Sequence, residues 1–333
     1  MKVTPKVAIN SLVTTLFVFL VGCFVNTDNN DTVTVYVSAD EHIARDVFAL
    51  FTKKTGIDVA WVGDTEASKT TALVQRLIRE RERPIADVFW SSEILGTIQL
   101  ARAHVLSPCT TSITRKWPTQ YRDSDMKWFS FSPRARVIAF DPNVVKEDDL
   151  PRLWWEYGEA AMADPRFGTT RTHIAVMAKY PEQSRALFKS MKSRPLLGGN
   201  AATVQSVIDG TARYAMTDTD DVHSAQERGE SLAMFMPRHH DGLGGGTLLI
   251  PNTVGVVQGC EHPELAEQFV DFLLSDEVAT LLALSTSHNI PLQPKVAKKF
   301  PNLAVDDPLV VDFYEAASES DSQLAVVMSE LSQ

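Results

Sequence analysis

At 333 residues the chain is long enough for one large domain or two ordinary ones, with a substantial buried core. Apolar and charged contents of 44% and 22% are those of a soluble globular protein. The formal net charge of -10, with no long basic run, excludes a general nucleic-acid binder, which needs a face rich in Lys and Arg to neutralise phosphates.

Lys2 and Lys6 precede an apolar stretch from Val7 to Val21, and Leu20-Val21-Gly22-Cys23 closes it. A positive start, a short apolar run and a small residue before a cleavage point describe a secretory signal. A transmembrane helix fits less well, because spanning takes about 20 apolar residues and this run is broken by Asn10, Ser11, Thr14 and Thr15. Leu-Val-Gly-Cys resembles the bacterial lipobox, which implies acylation of Cys23 and its exposure as the mature N-terminus. One acyl chain holds a membrane only marginally, so the resemblance implies a multiply acylated Cys23. Residues 1–22 are then the signal and 23–31 a polar tether. Cys109 and Cys260 leave two readings open, a disulfide or two separate thiols. No Cys-x-x-Cys or His-x-x-x-His spacing supports structural zinc.

From Thr32 onward strands and helices alternate. Val33, Val35 and Val37 give a strand; Ile43, Val47, Leu50 and Phe51 give the apolar face of a helix ended by Gly56. Ile57 to Val62 reads as a strand, Ala67 to Arg83 as a helix stopped by Pro84, and Asp87 to Trp90 as a third strand. A helix through Ile94, Ile98 and Leu100 follows. This order predicts a parallel α/β sheet. Further on, Val137 to Phe140, Ala160 to Ala163 and Tyr214 to Met216 read as strands; Thr170 to Lys179, Glu182 to Lys192 and Ala201 to Asp209 read as helices. The Gly-rich turn Gly242 to Gly246 precedes two short strands, Leu248 to Ile250 and Val254 to Val257. Pro263 then opens a helix through Leu273. Only the first thirty or so residues and the last few read as unstructured.

Several segments carry a family resemblance, in this order: Val35-Tyr36 with Ser38 to His42, Ala86 to Trp90, Ala135 to Ile138, Met162 to Thr169, Gly199-Asn200-Ala201, Thr217 to Asp220, Gly246 to Asn252, and His262-Pro263-Glu264 with Phe272 to Ser275. Together they resemble the extracellular solute-binding proteins typified by periplasmic ferric-iron-binding proteins, over nearly the whole mature chain. The resemblance implies an α/β, two-lobe periplasmic-binding-protein fold with discontinuous lobes joined by crossing strands. The expected division is 32–133 plus 247–290 for lobe one and 134–246 plus 291–333 for lobe two. Independently, open α/β sheets bind ligands beyond the carboxyl ends of their strands, and two facing lobes can close by hinge bending.

In the iron-binding members the resemblance implies a His, a Glu and two adjacent Tyr around Fe3+, with an anion held by backbone and small polar groups. Here the His position falls on Asp40, the Glu position on Ser92 or Glu93, and the Tyr pair on Thr219 and Asp220. The replacements are acidic: Asp40, Glu93, Asp218, Asp220 and Asp221 form an expected all-oxygen cation site, suited to a hard ion. Helix capping is the rival role for Asp218 and Asp220, and complementing a helix dipole for Asp221. Arg134, Arg136, Thr169, Thr170 and Asn200, with Arg171 nearby, are the expected anion site, since guanidinium forks and hydroxyls at a helix start suit oxyanions. A structural salt bridge is the rival role for Arg136. Neighbouring His239 and His240 would point to opposite faces of a strand, so a solvated loop is expected there. Trp90, Trp154 and Trp155 line either a cleft or the core.

The reading that follows is a binding protein, not an enzyme: there is no Gly-x-Ser-x-Gly elbow and no zincin motif. The resemblance implies the lipid-anchored, monomeric component of an ABC importer. It would be exported to the periplasm or cell surface and would present iron(III) to inner-membrane permease subunits. The alternative ligand is an organic anion such as a phosphonate or sugar phosphate.

Overall fold

The computed structural model describes residues 31–64, 70–192 and 194–332. The expected signal (1–22), Cys23, and the tether before Asp31 lie outside the described residues, as does the expected helix start at Ala67. No helix among the described residues is long and apolar enough to cross a membrane.

The chain opens as β1 (Thr32–Val37), α1 (Glu41–Thr55), β2 (Asp58–Gly63), α2 (Thr71–Glu80), β3 (Val88–Ser91), α3 (Leu95–Arg102) and β4 (Leu106–Ser107). The long β5 (Phe129–Phe140) leads to β6 (Ala161–Ala163), α4 (Gly168–Met177), α5 (Pro181–Ser190), β7 (Leu196–Leu197) and α6 (Asn200–Ile208). Then come β8 (Ala215–Asp218), α7 (Thr219–Glu227), β9 (Ala233–Phe235), β10 (Leu249–Val257), α8 (Pro263–Leu273), α9 (Asp276–Leu284), α10 (Pro294–Ala297) and α11 (Phe313–Ser332).

Along its main path the sheet runs β2-β1-β3-β10-β5-β8-β6-β7. β1 is parallel to β2 and β3, and β6 is parallel to β7 and β8. Strands β5 and β10 run antiparallel to their neighbours and tie the two parallel blocks together. Every residue of β5 is buried. Its first half pairs with β10, up to Ala135 against Leu249; from Arg136 on it pairs with β8 and β9.

The crossing is bent. Ser132 holds φ of +39° ahead of Pro133, and the register with β10 shifts between Ile250 and Asn252. A non-glycine residue with positive φ is costly and persists only where the surroundings fix it; here Asn252 Nδ2 donates to the Ser132 carbonyl at 2.8 Å. Separate apolar cores lie to either side. One gathers Val35, Phe48, Phe51, Trp90, Phe131 and Phe269. Another gathers Ile138, Trp154, Tyr157, Phe188 and Met216. Trp90 and Trp154 are thus core residues, 1% and 0% exposed.

Four expectations are corrected. The strand expected at Val137 starts eight residues earlier, at Phe129; Pro133 and two arginines interrupt the apolar run that would have signalled it. The two strands after the Gly turn are one, β10, because the bulge lets Pro251 pass without ending the ladder. The C-terminal residues, expected unstructured, form the 20-residue α11, which buries Ala316, Ser320, Gln323 and Val327. His239 is not in a solvated loop: it is 1% exposed, while His240 beside it is half-buried. Cys109 and Cys260 are both free thiols.

Candidate binding cleft

Strand β5 delivers two arginines at the switch between the halves of the sheet. Arg136 is fully buried and its guanidinium is held from several sides. Nη1 donates to Asp218 Oδ1 at 3.1 Å and Asn200 Oδ1 at 3.3 Å; Nη2 donates to Thr170 Oγ1 at 3.0 Å. The other oxygen of Asp218 accepts from Thr169 Oγ1 (2.5 Å) and Asn200 Nδ2 (2.7 Å). A charge this deep is tolerated only when paired and hydrogen-bonded. This network bolts the first turns of α4 and α6 to the end of β8. The salt-bridge role is therefore the one that Arg136 fills. Asp218 occupies the N-cap position of α7, but its carboxylate serves the arginine and makes no capping bond.

Arg134 sits above this floor. Nη1 donates to Asp220 Oδ2 at 2.7 Å and Nη2 to the Ser92 carbonyl at 2.5 Å, so it links α7 to the end of β3. Burial works against its charge, yet Asp220, then Asp218, Asp40 and Asp221, outweigh it and hold its pKa above the ordinary arginine value. Asp220 Oδ1 accepts the Asp221 amide at 3.1 Å, and Asp221 Oδ2 accepts from Thr217 Oγ1 at 3.0 Å. One carboxylate oxygen from each of Asp218, Asp220 and Asp221 lies within 4.8 Å of the other two.

These residues line a cleft with Asp40, Ser92, Thr169, Thr170 and Asn200, where free space amounts to about 50 Å³. Asp40 comes from the N-cap position of α1. The cleft is polarised. The first turns of α1 and α7 carry Glu41 and Asp220-Asp221, whereas those of α4 and α6 carry no acidic residue and offer amides with Thr and Asn side chains. Five carboxylates line the cleft (Asp40, Asp164, Asp218, Asp220, Asp221); with Asp164 paired to Arg166, the other four meet the guanidiniums of Arg134 and Arg136, so the side chains leave the cleft net negative. The bare α4 and α6 ends remain favourable for an anion.

Glu93 does not join the other acids. Its carboxylate accepts the amides of Leu95 (2.6 Å) and Gly96 (2.9 Å) at the start of α3, and the hydroxyl of Thr172 at 3.0 Å. Burial raises its pKa, against the pull of those donors. It lines instead a neighbouring cavity of about 380 Å³ between α2, α3, α4 and α11. Arg171 also lies there, paired with Asp321 of α11 at 2.6 Å. Of the expected residues, the structure brings Asp40, Asp218, Asp220, Asp221, Arg134, Thr169, Thr170 and Asn200 to one cleft; Arg136 supports it from beneath, and Glu93 and Arg171 stand apart. Ser38 is not among the expected site residues; its hydroxyl donates or accepts with Ser92 Oγ at 3.3 Å and accepts from Thr70 Oγ1 at 3.0 Å. Its place just past β1, at a strand's carboxyl end, was the available signal.

The family model for bacterial extracellular solute-binding proteins matches residues 119–310. The major ferric iron-binding protein of Neisseria meningitidis is 26% identical over 283 residues, covering 80% of this chain and 83% of the relative. The solved ferric binding protein from Campylobacter jejuni superposes with a TM-score of 0.79 at 20% identity, over 90% of this chain and 99% of that one. AfuA from Actinobacillus pleuropneumoniae, solved with exogenous fructose-6-phosphate bound, gives 0.75 at 18% identity, over 90% and 98%. Crossing strands, two α/β halves and a polar cleft between them define the two-lobe fold seen in periplasmic binding proteins. The chain belongs to the bacterial extracellular solute-binding proteins.

Proposed function

We propose that the chain is the solute-binding component of an ABC importer and carries iron(III), with a companion anion, in the cleft between its lobes. The observation that carries this reading is the clustering of Asp218, Asp220 and Asp221 within 4.8 Å, with Asp40 on the same cleft. Hard carboxylate oxygens suit a hard cation. Both oxygens of Asp218 are enclosed by Arg136, Thr169 and Asn200, so the expected donors are Asp40, Asp221 and Asp220, the last giving up its bond to Arg134 for the metal, with the anion on Thr169, Thr170 and Asn200 at the α4 and α6 ends. The names of the relatives support the same cargo. Lobe one is read as 32–133 plus 247–290 and lobe two as 134–246 plus 291–333. The protein is read as a monomer with no catalytic role, exported and tethered through an acylated Cys23 beside its permease, where tethering raises effective concentration.

Equilibrium dialysis of metal-stripped protein against iron(III), with carbonate, phosphate or citrate present, tests the cargo. Retention of one iron per chain, lost on Asp220→Asn plus Asp221→Asn, is expected; no iron retained under any anion sinks it. A second reading has its own support: no tyrosine lines the cleft, and AfuA, of the same fold, was solved with a sugar phosphate. Under that reading the α4 and α6 ends hold the phosphate and the acids hold hydroxyls. Metal-free stabilisation by a sugar phosphate would favour it over iron.

A further inference from the structure

The two buried guanidiniums at the cleft are held to different degrees. Arg136 is 0% exposed and reaches Asp218, Asn200 and Thr170, so moving it would undo the floor. Arg134 is 8% exposed and lines the cleft itself. Two bonds hold it: Nη1 to Asp220 Oδ2 at 2.7 Å and Nη2 to the Ser92 carbonyl at 2.5 Å. Its Nε has no hydrogen-bond partner among the described residues. Buried donors are nearly always bonded, so this is the more loosely held fork. Asp218, Asp40 and Asp221 add to the attraction that Asp220 exerts on it. Those are the same carboxylates that the cleft offers to a cation, three of them gathered within 4.8 Å.

We propose that Arg134 is a resident cation: a specificity-determining residue whose guanidinium competes with the cargo for Asp220 and is displaced from it when the cargo binds. The inference rests on the cleft being a cation site. A metal ion on Asp220 and Asp221 lies beside the guanidinium, and like charges at such range repel strongly away from bulk water. Affinity for cargo is then the attraction of the acids less the cost of moving Arg134 off Asp220. Monovalent ions lose that exchange, because they offer the acids no more charge than the guanidinium does. A compact polyvalent ion wins it. The second bond, to Ser92 at the end of β3, keeps the displaced guanidinium close, so it can return to Asp220 as the ion leaves. Arg134 thereby serves both selection and release.

Terbium(III), a hard trivalent ion whose emission is sensitised by a nearby tryptophan, is titrated into metal-stripped protein; iron(III) with carbonate is titrated in parallel. Arg134→Gln should bind terbium at least about tenfold more tightly than wild type, since a neighbouring positive charge is gone. Arg134→Lys, which keeps the charge, should stay near wild type. Adding Asp220→Asn to Arg134→Gln should erase the gain, because the competition runs through Asp220. The rise in melting temperature on adding terbium should be larger for Arg134→Gln than for wild type, which a purely structural arginine would not produce. Wild type supplies a test that needs no variant. Diamagnetic lanthanum(III) should free the Arg134 guanidinium, so that its N–H signals, slowed in NMR by the bond to Asp220, average on binding. Signals that stay slowed with lanthanum bound overturn the proposal, as does Arg134→Gln binding terbium no more tightly than wild type; iron retained in either case leaves the cation site standing. Neither ion binding to wild type or to Arg134→Gln overturns the proposal and the cation reading together. Binding by Arg134→Gln but not by wild type supports the competition and removes the iron reading.

Discussion

Asp218 closes β8 and is 1% exposed. Its position before a helix suggested a cap or a metal ligand, but its two oxygens are committed to Arg136, Thr169 and Asn200. Removing one partner of a buried pair leaves the other charge stranded, which costs about 3–5 kcal/mol. Asp218→Ala is therefore expected to lose stability of that order in urea unfolding, with Arg136→Met milder because it strands a smaller, hydrogen-bondable acid. A loss under about 1 kcal/mol for Asp218→Ala would show that the network is not buried as described.

Helix α4 reaches the cleft, β3's end and His239 through four side chains. Thr169 and Thr170 face the cleft, Thr172 reaches Glu93, and His173 reaches His239. His239 Nδ1–H donates to the Gly246 carbonyl at 2.9 Å, so its Nε2 must accept from His173 Nε2–H at 3.0 Å. Burial is the first cause of low pKa in both rings: His173 lies well below the ordinary value, and His239 is brought down to about 4. In the unfolded chain both would titrate near 6.5. Between there and about pH 4 the unfolded state binds more protons, so stability rises with pH. The contribution is fully present above pH ~6.5 and is lost on acidification, by about 3 kcal/mol for His239 alone. His239→Gln should flatten that part of the stability–pH profile; an unchanged slope between pH 6.5 and 4 would refute the assignment.

At the scale of the whole molecule, β5 and β10 join two packed halves while α11 packs on α4 and α5 and reaches α3 through Arg102, whose Nη2 donates to the Tyr314 carbonyl at 2.9 Å. Across the cleft Arg134 reaches Ser92 and Thr172 reaches Glu93, while α7 meets the segment after α9 through Ser224 with the Thr286 carbonyl and Glu227 with His288. Hinge motion about the bent crossing at Ser132 is the expected response to ligand. Small-angle scattering should show a smaller radius of gyration on adding cargo, and ligand at a hundred times its dissociation constant should stabilise by about 2.7 kcal/mol. Identical scattering with bound and free protein would argue for a cleft that does not close.

The sequence by itself determined the alternation of strands and helices, the order of the family segments and the acidic character of the cleft, because periodicity and local turn chemistry are written in neighbouring residues. It named Asp40 and Asp220 together, and both line the same cleft. Tertiary structure alone decided the rest. It drew Glu93 onto the start of α3, where two free amides outcompete a distant cation site. It buried His239 against His173, which lies 66 positions away in the chain. It turned an arginine expected for anion binding into the counter-charge of Asp218. It also made the last residues a helix by giving their apolar face something to pack on. Each of these outcomes depends on a partner remote in sequence, and a partner's distance through space cannot be read from spacing along the chain.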